Sequence, residues 1–367
     1  MIKSFTFSGT PHIIFGPGTL TELPGIITGF GRNILLITGR SSFLSTDRAS
    51  GLLNDFDNES IRYKTISVHG EPSPAFIDEI VSEHSTLKID LVVSVGGGSV
   101  IDAGKAISAM LYRKESVLEY LEGIGKSEHP GTKIPFIAIP TTSGTGSEAT
   151  KNAVLSDVRP GGYKRSLRHN HFLPDIALVD PELTINCTPI VTAASGMDCF
   201  TQLTEAWLSP TASKYTDALA IEGLRAVKNS LVKAFEDGEN IEARTHMSFA
   251  ALTSGICLAN AGLGVVHGFA SAIGGLYDLP HGMICGSLMA SANEITVRKL
   301  RKTGVNAGAL EKYATLGRIF IDNENKSDDF YVDAFINYLH ELTLSLKISR
   351  LDIPGNEEAV EQVCMNT

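Results

Sequence analysis

"LVVSVGGGSVIDAGKA" (residues 91–106) runs from an apolar strand straight into three glycines, a serine and a helix. Gly96, Gly97 and Gly98 let the backbone bend tightly and come close to a ligand. The helix after them offers unpaired N–H groups and the positive end of its dipole, with Ser99 in its first turn, a ready seat for a phosphate. The segment is neither the G-x-G-x-x-G fingerprint nor the P-loop pattern G-x-x-x-x-G-K-[ST]. Taken alone, it reads either as a phosphate-binding turn or as a plain tight strand–helix turn. A second loop bears on that choice. In "IPTTSGTGSEAT" (139–150) an apolar strand ends at Pro140 and opens into Thr141, Thr142, Ser143, Thr145 and Ser147. Those hydroxyls suit phosphate, ribose or an amide group, and the two loops on one sheet edge would make a two-sided nucleotide cleft.

The flanking sequence supplies the sheet. "NILLIT" (33–38), "IRYKTIS" (61–67), "DLVVSV" (90–95) and "KIPFIAIP" (133–140) read as strands, and "PAFIDEIVSEHSTL" (74–87) as a helix with Pro near its start. Strand–helix alternation predicts a parallel sheet covered by helices, with ligands at the carboxyl ends of the strands. From about Thr188 the pattern turns helical, and "ARTHMSFAALTSGICLANAGLGVVHGFASAIGG" (243–275) is dense in residues small enough for close helix contact. A boundary near "PDIALVDPEL" (174–183) divides the chain into an α/β nucleotide-type domain over 1–183 and an all-α domain over 184–367.

Composition narrows the function classes. The 367 residues are 43% hydrophobic and 20% charged, with a net charge of −10, and no run of Lys and Arg stands out. Neither nucleic acid nor an anionic membrane surface is an expected partner. The N-terminus does not read as a signal peptide, and nothing approaches the roughly 20 apolar residues of a membrane span. Cys187, Cys199, Cys257, Cys285 and Cys364 are odd in number and lack CxxC spacing, which fits reduced thiols in the cytoplasm.

The helical half carries its own chemistry. In "SGMDCFTQLTEAW" (195–207), Asp198 and Gln202 lie one turn apart on one helix face, while neighbouring Cys199 points elsewhere. "VVHGFASAIGGLYDLPHG" (265–282) adds His267 and His281. A lone His on an apolar helix is ordinarily a satisfied core residue. A carboxylate and two imidazoles, however, suffice for a catalytic metal that keeps a position open for substrate.

Together, "IIFGPGTL" (13–20), "GGGSVIDAGKA", "IPTTSGTGSEAT", "LVDPELT", "GMDCFTQLTEA" and "HGFASAIGGLYDLPHG" resemble the iron-containing (group III) alcohol dehydrogenase family in order and interval. The resemblance fades after about residue 300, and the chain ends earlier than the family usually does. It implies a Rossmann-like N-terminal domain, a helical C-terminal domain and a dehydroquinate-synthase-like overall plan. It further implies a nicotinamide cofactor and a divalent metal, Zn or Fe, in the cleft between the domains. The implied activity is hydride transfer between a small alcohol and its aldehyde or ketone, in a homodimer or larger assembly. Carried over by position, Gly96, Gly97, Gly98 and Ser99 form the pyrophosphate loop with Asp102 nearby. Thr141, Thr142, Thr145, Ser147, Lys164 and Leu183 line the cofactor cleft. Asp198, His267 and His281 are metal ligands, and the two histidines act at the catalytic centre.

The resemblance also exposes two departures. The family's second ligand, a His four residues after the Asp, is Gln202 here, a neutral carbonyl donor poorer than imidazole. A further His associated with proton relay is Ser271, whose hydroxyl does not titrate near neutral pH. Three readings follow: zinc on Asp198, His267 and His281 as in the glycerol dehydrogenase branch, weak coordination by Gln202, or loss of the metal. Cofactor choice rests on "LLITGRSS" (35–42). Where NAD-preferring members often place an Asp, this chain has Gly39, followed by Arg40 and Ser41, which can receive a 2′-phosphate. NADP(H) is therefore expected over NAD(H). The competing functions are a cyclase of the dehydroquinate-synthase type and a nucleotide-binding protein with a degenerate metal site.

Overall fold

The apolar runs of the first half become strands buried on both faces. In the computed structural model, which describes residues 4–159, 161–351, 353, 360–361 and 363–364, the chain opens with β1 (His12–Phe15) and α1 (Leu23–Thr28). There follow β2 (Asn33–Gly39), α2 (Asp47–Asn58), β3 (Arg62–Val68), α3 (Pro74–His84), β4 (Leu91–Gly96) and α4 (Gly98–Met110). The half closes with β5 (Phe136–Pro140), β6 (Asn152–Asp157), β7 (Tyr163–Arg168) and β8 (Ile176–Val179). Six strands form one parallel sheet in the order β1-β8-β5-β4-β2-β3, and β6 and β7 pair apart as an antiparallel hairpin.

Leu36, Val93 and Ile137 stand in register across β2, β4 and β5. They face α2, whose Ala49, Leu52 and Phe56 share their core. The alternate residues Leu35, Ile37, Val92 and Ala138 face α4 and the hairpin. The helices leaving β2 and β4 thus go to opposite faces of the sheet. The carboxyl ends of those two strands part between them, and a crevice opens there, the usual ligand seat of a doubly wound sheet. Local signals set the helix starts: Thr46 and Ser73 accept from Ala49 N and Phe76 N at 3.2 Å, and Pro74 follows Ser73 in the first turn.

Every regular element described after Thr188 is helical: α5 (Pro189–Leu208), α6 (Lys214–Glu236), α7 (Ile241–Ala261), α8 (Val265–Leu276), α9 (His281–Thr303), α10 (Ala307–Phe320) and α11 (Asp328–Ser345). One core, including Phe200, Leu203, Leu224 and Phe335, unites most of them. The small residues act as expected where helix meets loop. A Cβ on Gly255 of α7 would fall 2.1 Å from the carbonyl oxygen of Gly146, which itself has φ +61°. This backbone-to-backbone contact presses the 141–150 loop against the helical half. Among the described residues no single helix is long and apolar enough to cross a membrane; α7 and α8 qualify only as a pair bent by 99°.

Near the end of the α/β half, 174–183 contains β8, which pairs with both β1 and β5 and lies inside the sheet.

Gly104 of α4 packs on β4 so closely that a Cβ would lie 1.9 Å from Ser94 Oγ and 2.9 Å from the Phe136 ring. Gly104→Ala should therefore cost about 1–3 kcal/mol by overpacking. Gly51→Ala, on the exposed face of α2 with open space around it, should add about 0.4–1 kcal/mol. Denaturant unfolding of the two variants checks the opposite signs.

Candidate active site

Gly97, extended, precedes the first turn of α4, and no side chain caps that turn among the described residues. The free N–H groups at Gly98 and Ser99 therefore face the crevice. The second loop lies directly against them: a Cβ on Gly98 would fall 2.6 Å from Thr145 Cγ2, and Thr141 N donates to Gly96 O at 2.9 Å.

A buried ammonium holds this loop in place. Lys105 Nζ lies 2.9 Å from Ser147 O, 3.2 Å from Ser147 Oγ, 3.1 Å from Thr150 Oγ1 and 2.7 Å from Asn152 O. Asp102 accepts from the Ser147 hydroxyl and, at 3.0 Å, from Val154 N. Burial pulls Lys105 down to about 8 against the raising influence of Asp102 and Glu148. Burial pushes Asp102 up, with Lys105 and the Ser147 hydroxyl opposing, and lifts Glu148 to about 7.

Two cavities flank the Gly97–Gly98 bond. The first, about 330 Å³, is bordered by Gly97, Thr141, Thr142 and Leu183 together with Ser42, Arg48 and Glu182. The second, about 300 Å³, is bordered by Gly98, Ser99, Asp102, Thr145, Ser147 and Lys164, and across from them by Asp198, Gln202, His267, Ser271 and His281. Most expected residues of both halves thus meet in one crevice. Gly96 lies buried at the end of β4 and borders neither cavity. Gly39 ends β2, Arg40 and Ser41 are exposed, and none of the three borders either cavity. Two paired charges went unnoticed in the sequence. Arg48 meets Glu182 at 2.6 Å in the first cavity, and Lys164 meets Glu71 at 3.1 Å in the second.

In the helical half, α5 starts at Pro189 behind the Thr188 cap and presents Asp198, Gln202 and Glu205 along one buried face. Glu205, absent from the sequence reading, accepts from Gly264 N at 2.8 Å and Val266 N at 2.6 Å, capping α8 from another helix. The same carboxylate lies 2.7 Å from His267 Nδ1, and Asp198 Oδ1 lies 3.2 Å from its Nε2, so each ring nitrogen faces a carboxylate. His281, the first residue of α9, places Nε2 3.9 Å from Asp198 Oδ1 and 3.7 Å from Cys285 Sγ, one turn further on. Its Nδ1 is buried without a hydrogen-bond partner among the described residues. Asp198, His267, His281 and Cys285 each offer one ligand atom, all within 4.8 Å of one another. Gln202 donates its amide N–H to Asp198 Oδ1 at 3.2 Å and accepts the Ser254 hydroxyl at 2.8 Å.

The carboxylate of this cluster stays ionised. Burial would raise the Asp198 carboxyl, but the hydrogen bond from His267 and the charges of both histidines outweigh it and hold the group below the usual carboxylate range. Cys285 was legible only as one of five scattered thiols. The missed signal was its i, i+4 spacing from His281, the spacing that joins Asp198 to Gln202.

Comparison with known proteins agrees with this geometry. The family profile described as iron-containing alcohol dehydrogenase matches residues 10–181, and its C-terminal counterpart matches 192–363. The chain belongs to the iron-containing alcohol dehydrogenase family. It is 37% identical over 291 residues to 1-propanol dehydrogenase PduQ of Salmonella typhimurium, covering 78% of this chain and 72% of that one. It is 30% identical over 330 residues to an NAD-dependent methanol dehydrogenase of Bacillus methanolicus, covering 87% and 85%. A solved alcohol dehydrogenase from Oenococcus oeni superposes with a TM-score of 0.88 at 27% identity, over 99% of this chain and 93% of that one. The family match corrects one expectation, because the resemblance does not stop near residue 300 but extends to 363. Membership makes the protein an oxidoreductase of the alcohol dehydrogenase class, a class that implies a metal and a nicotinamide cofactor.

Glu148 yields a pH test of the buried loop. Its folded carboxyl keeps its proton up to about 7, above the ordinary 4.5. Its contribution to stability is therefore complete below about 4.5 and is lost as pH rises through 7. Glu148→Gln should remove that downward slope, and denaturant midpoints for both proteins between pH 4.5 and 7 would reveal it.

Proposed function

We propose that this enzyme interconverts a small alcohol and its aldehyde or ketone with NADP(H) in preference to NAD(H), assisted by one divalent cation at Asp198, His267 and His281. The observation that carries the reading is the shared cavity: the convergent carboxylate and imidazoles form one wall, and the open start of α4 at Gly98 and Ser99 forms the other. The donor set fits a cation. A buried carboxylate, two imidazoles and a Glu205 carboxylate that holds His267 through Nδ1 are what a zinc- or iron-type site needs.

When bound, the cation would supply Lewis-acid polarisation of a substrate oxygen and the nicotinamide would supply or accept the hydride. The chain's own groups do the placing. Residues 1–183 would hold the cofactor: Gly96, Gly97, Gly98 and Ser99 would receive the pyrophosphate. Thr141, Thr142, Thr145, Ser147, Lys164 and Leu183 would line its path, with Asp102 fixing Ser147. Residues 184–367 would hold the reacting centre, with Gln202 keeping Asp198 oriented. Leu258 and Leu263 give the second cavity an apolar flank that limits water. Ser271, on the same wall, would relay a proton through its hydroxyl rather than titrate.

The cavity chemistry favours this reading over a cyclase acting on a sugar acid. Its two basic side chains, Lys164 and Arg168, are each engaged by a carboxylate, Glu71 at 3.1 Å and Glu122 at 2.9 Å. The test is a reductase assay on small aldehydes with NADPH and NADH, run with metal analysis of protein purified without chelators. Chelation should abolish turnover, His267→Ala should lose the bound metal, and Glu205→Gln should weaken metal affinity about 10–100-fold. Activity indifferent to chelator and to His267→Ala would overturn the metal-assisted reading.

Preference for NADP(H) rests on the missing carboxylate at the end of β2. A side chain at Gly39 would fit, its Cβ lying 3.5 Å from Ser42 Oγ and 3.9 Å from Val100. Gly39→Asp should therefore depress kcat/KM for NADPH at least about tenfold more than for NADH, by repelling a 2′-phosphate. Equal losses would favour NAD(H), the cofactor named for the methanol dehydrogenase relative.

A further inference from the structure

Position 202, where the family resemblance implies an imidazole, holds an amide turned the wrong way for coordination. Gln202 directs its N–H to Asp198 and its carbonyl oxygen to Ser254. Another helix offers a further donor. Cys285, fully buried and outside the cavity lining, brings its sulfur 3.7 Å from His281 Nε2. Three separations among the ligand atoms are 3.2, 3.7 and 3.9 Å. Ligands at metal distances of about 2.0–2.3 Å in a tetrahedron stand about 3.3–3.8 Å apart. All four ligand atoms lie within 4.8 Å of one another, near enough to converge on one ion with small side-chain shifts.

We propose that Cys285 Sγ is the fourth protein ligand of the cation, replacing the imidazole that Gln202 has displaced. Coordination forms the sulfur–metal bond and releases the thiol proton to solvent. A thiolate beside two imidazoles and a carboxylate is a softer set than the one it replaces, and suits zinc. Thiolate ligation is compatible with catalysis, as Cys₂His zinc sites in alcohol dehydrogenases show. With four protein donors a substrate oxygen would join as a fifth ligand, from the cavity side and away from the buried Cys285. The proposal rests on the metal reading given above.

The test uses the full-length protein loaded with Co²⁺ and, separately, with Zn²⁺. The cobalt form should show a near-ultraviolet thiolate-to-cobalt charge-transfer band that disappears in Cys285→Ser while the visible ligand-field bands remain. Chelator competition should show Zn²⁺ affinity reduced at least about tenfold in Cys285→Ser and Cys285→Ala. X-ray absorption of the zinc-loaded wild type should show one sulfur at about 2.3 Å, a readout that needs no variant to fold. Cobalt bound without the charge-transfer band, or zinc without a sulfur neighbour, would overturn the role of Cys285 and leave a three-ligand site standing. Failure of the wild type to bind either ion more tightly than His267→Ala would overturn both this proposal and the metal reading beneath it.

Discussion

The carboxylate of Glu205 accepts three hydrogen bonds inside the helical half, and the arrangement of the site follows from them. Two come from Gly264 N and Val266 N at the start of α8, and the third from His267 Nδ1. The chain turns sharply between α7 and α8, and the new helix has no capping side chain of its own among the described residues. A group from α5 therefore meets the need that every helix start has for acceptors. Gly264 makes the approach possible, because a Cβ there would sit 2.8 Å from Glu205 Oε1. Asp198 lies two turns earlier on the same helix. One rigid element thus sets both the carboxylate of the donor set and the orientation of the imidazole opposite it.

The α/β half relies on a buried cation for the same purpose. Lys105 is 1% exposed and has acceptors from both ends of the 147–152 segment. If that segment drifted, an ammonium would be left unpaired in the core, an outcome that costs several kcal/mol. The loop is held against α4 by this constraint, while the Gly146–Gly255 contact holds it against α7. A single short segment therefore ties the phosphate-facing end of the sheet to the helices that carry the donor set.

Much of this was legible because the signals are local. β2, β3, β4 and β5 announce themselves as apolar or alternating runs, and the glycines at 96–98 mark the turn into α4 by need of close approach. Asp198, His267 and His281 were legible through composition and resemblance. β8 was not, since four residues between two aspartates carry too little pattern to separate strand from linker. Glu205 escaped notice because its partners lie some sixty residues away, and an acid on a helix normally signals a solvated face. Cys285 escaped for a different reason. A buried thiol is ordinarily a small apolar side chain, and only its distance to His281 distinguishes it. Arg40 and Ser41 follow the end of β2 and are exposed. Their types suit a phosphate, but the chain turns them to solvent while Ser42 and Arg48 border the cavity.

The exchange at position 202 also bears on whether the site has decayed. A site released from function loses its reason to keep polar groups in the core, where each unpaired one is costly. Here Asp198, Gln202, Glu205 and His267 are all buried, and all are hydrogen-bonded. Gln202 is suited to this, because an amide donates and accepts at once. It steadies Asp198 with its N–H and ties α5 to α7 through Ser254. An imidazole that gave one nitrogen to a cation would have only the other left for either task. The amide is thus consistent with a donor set reorganised around it, with the supporting hydrogen bonds retained and the fourth donor supplied from α9.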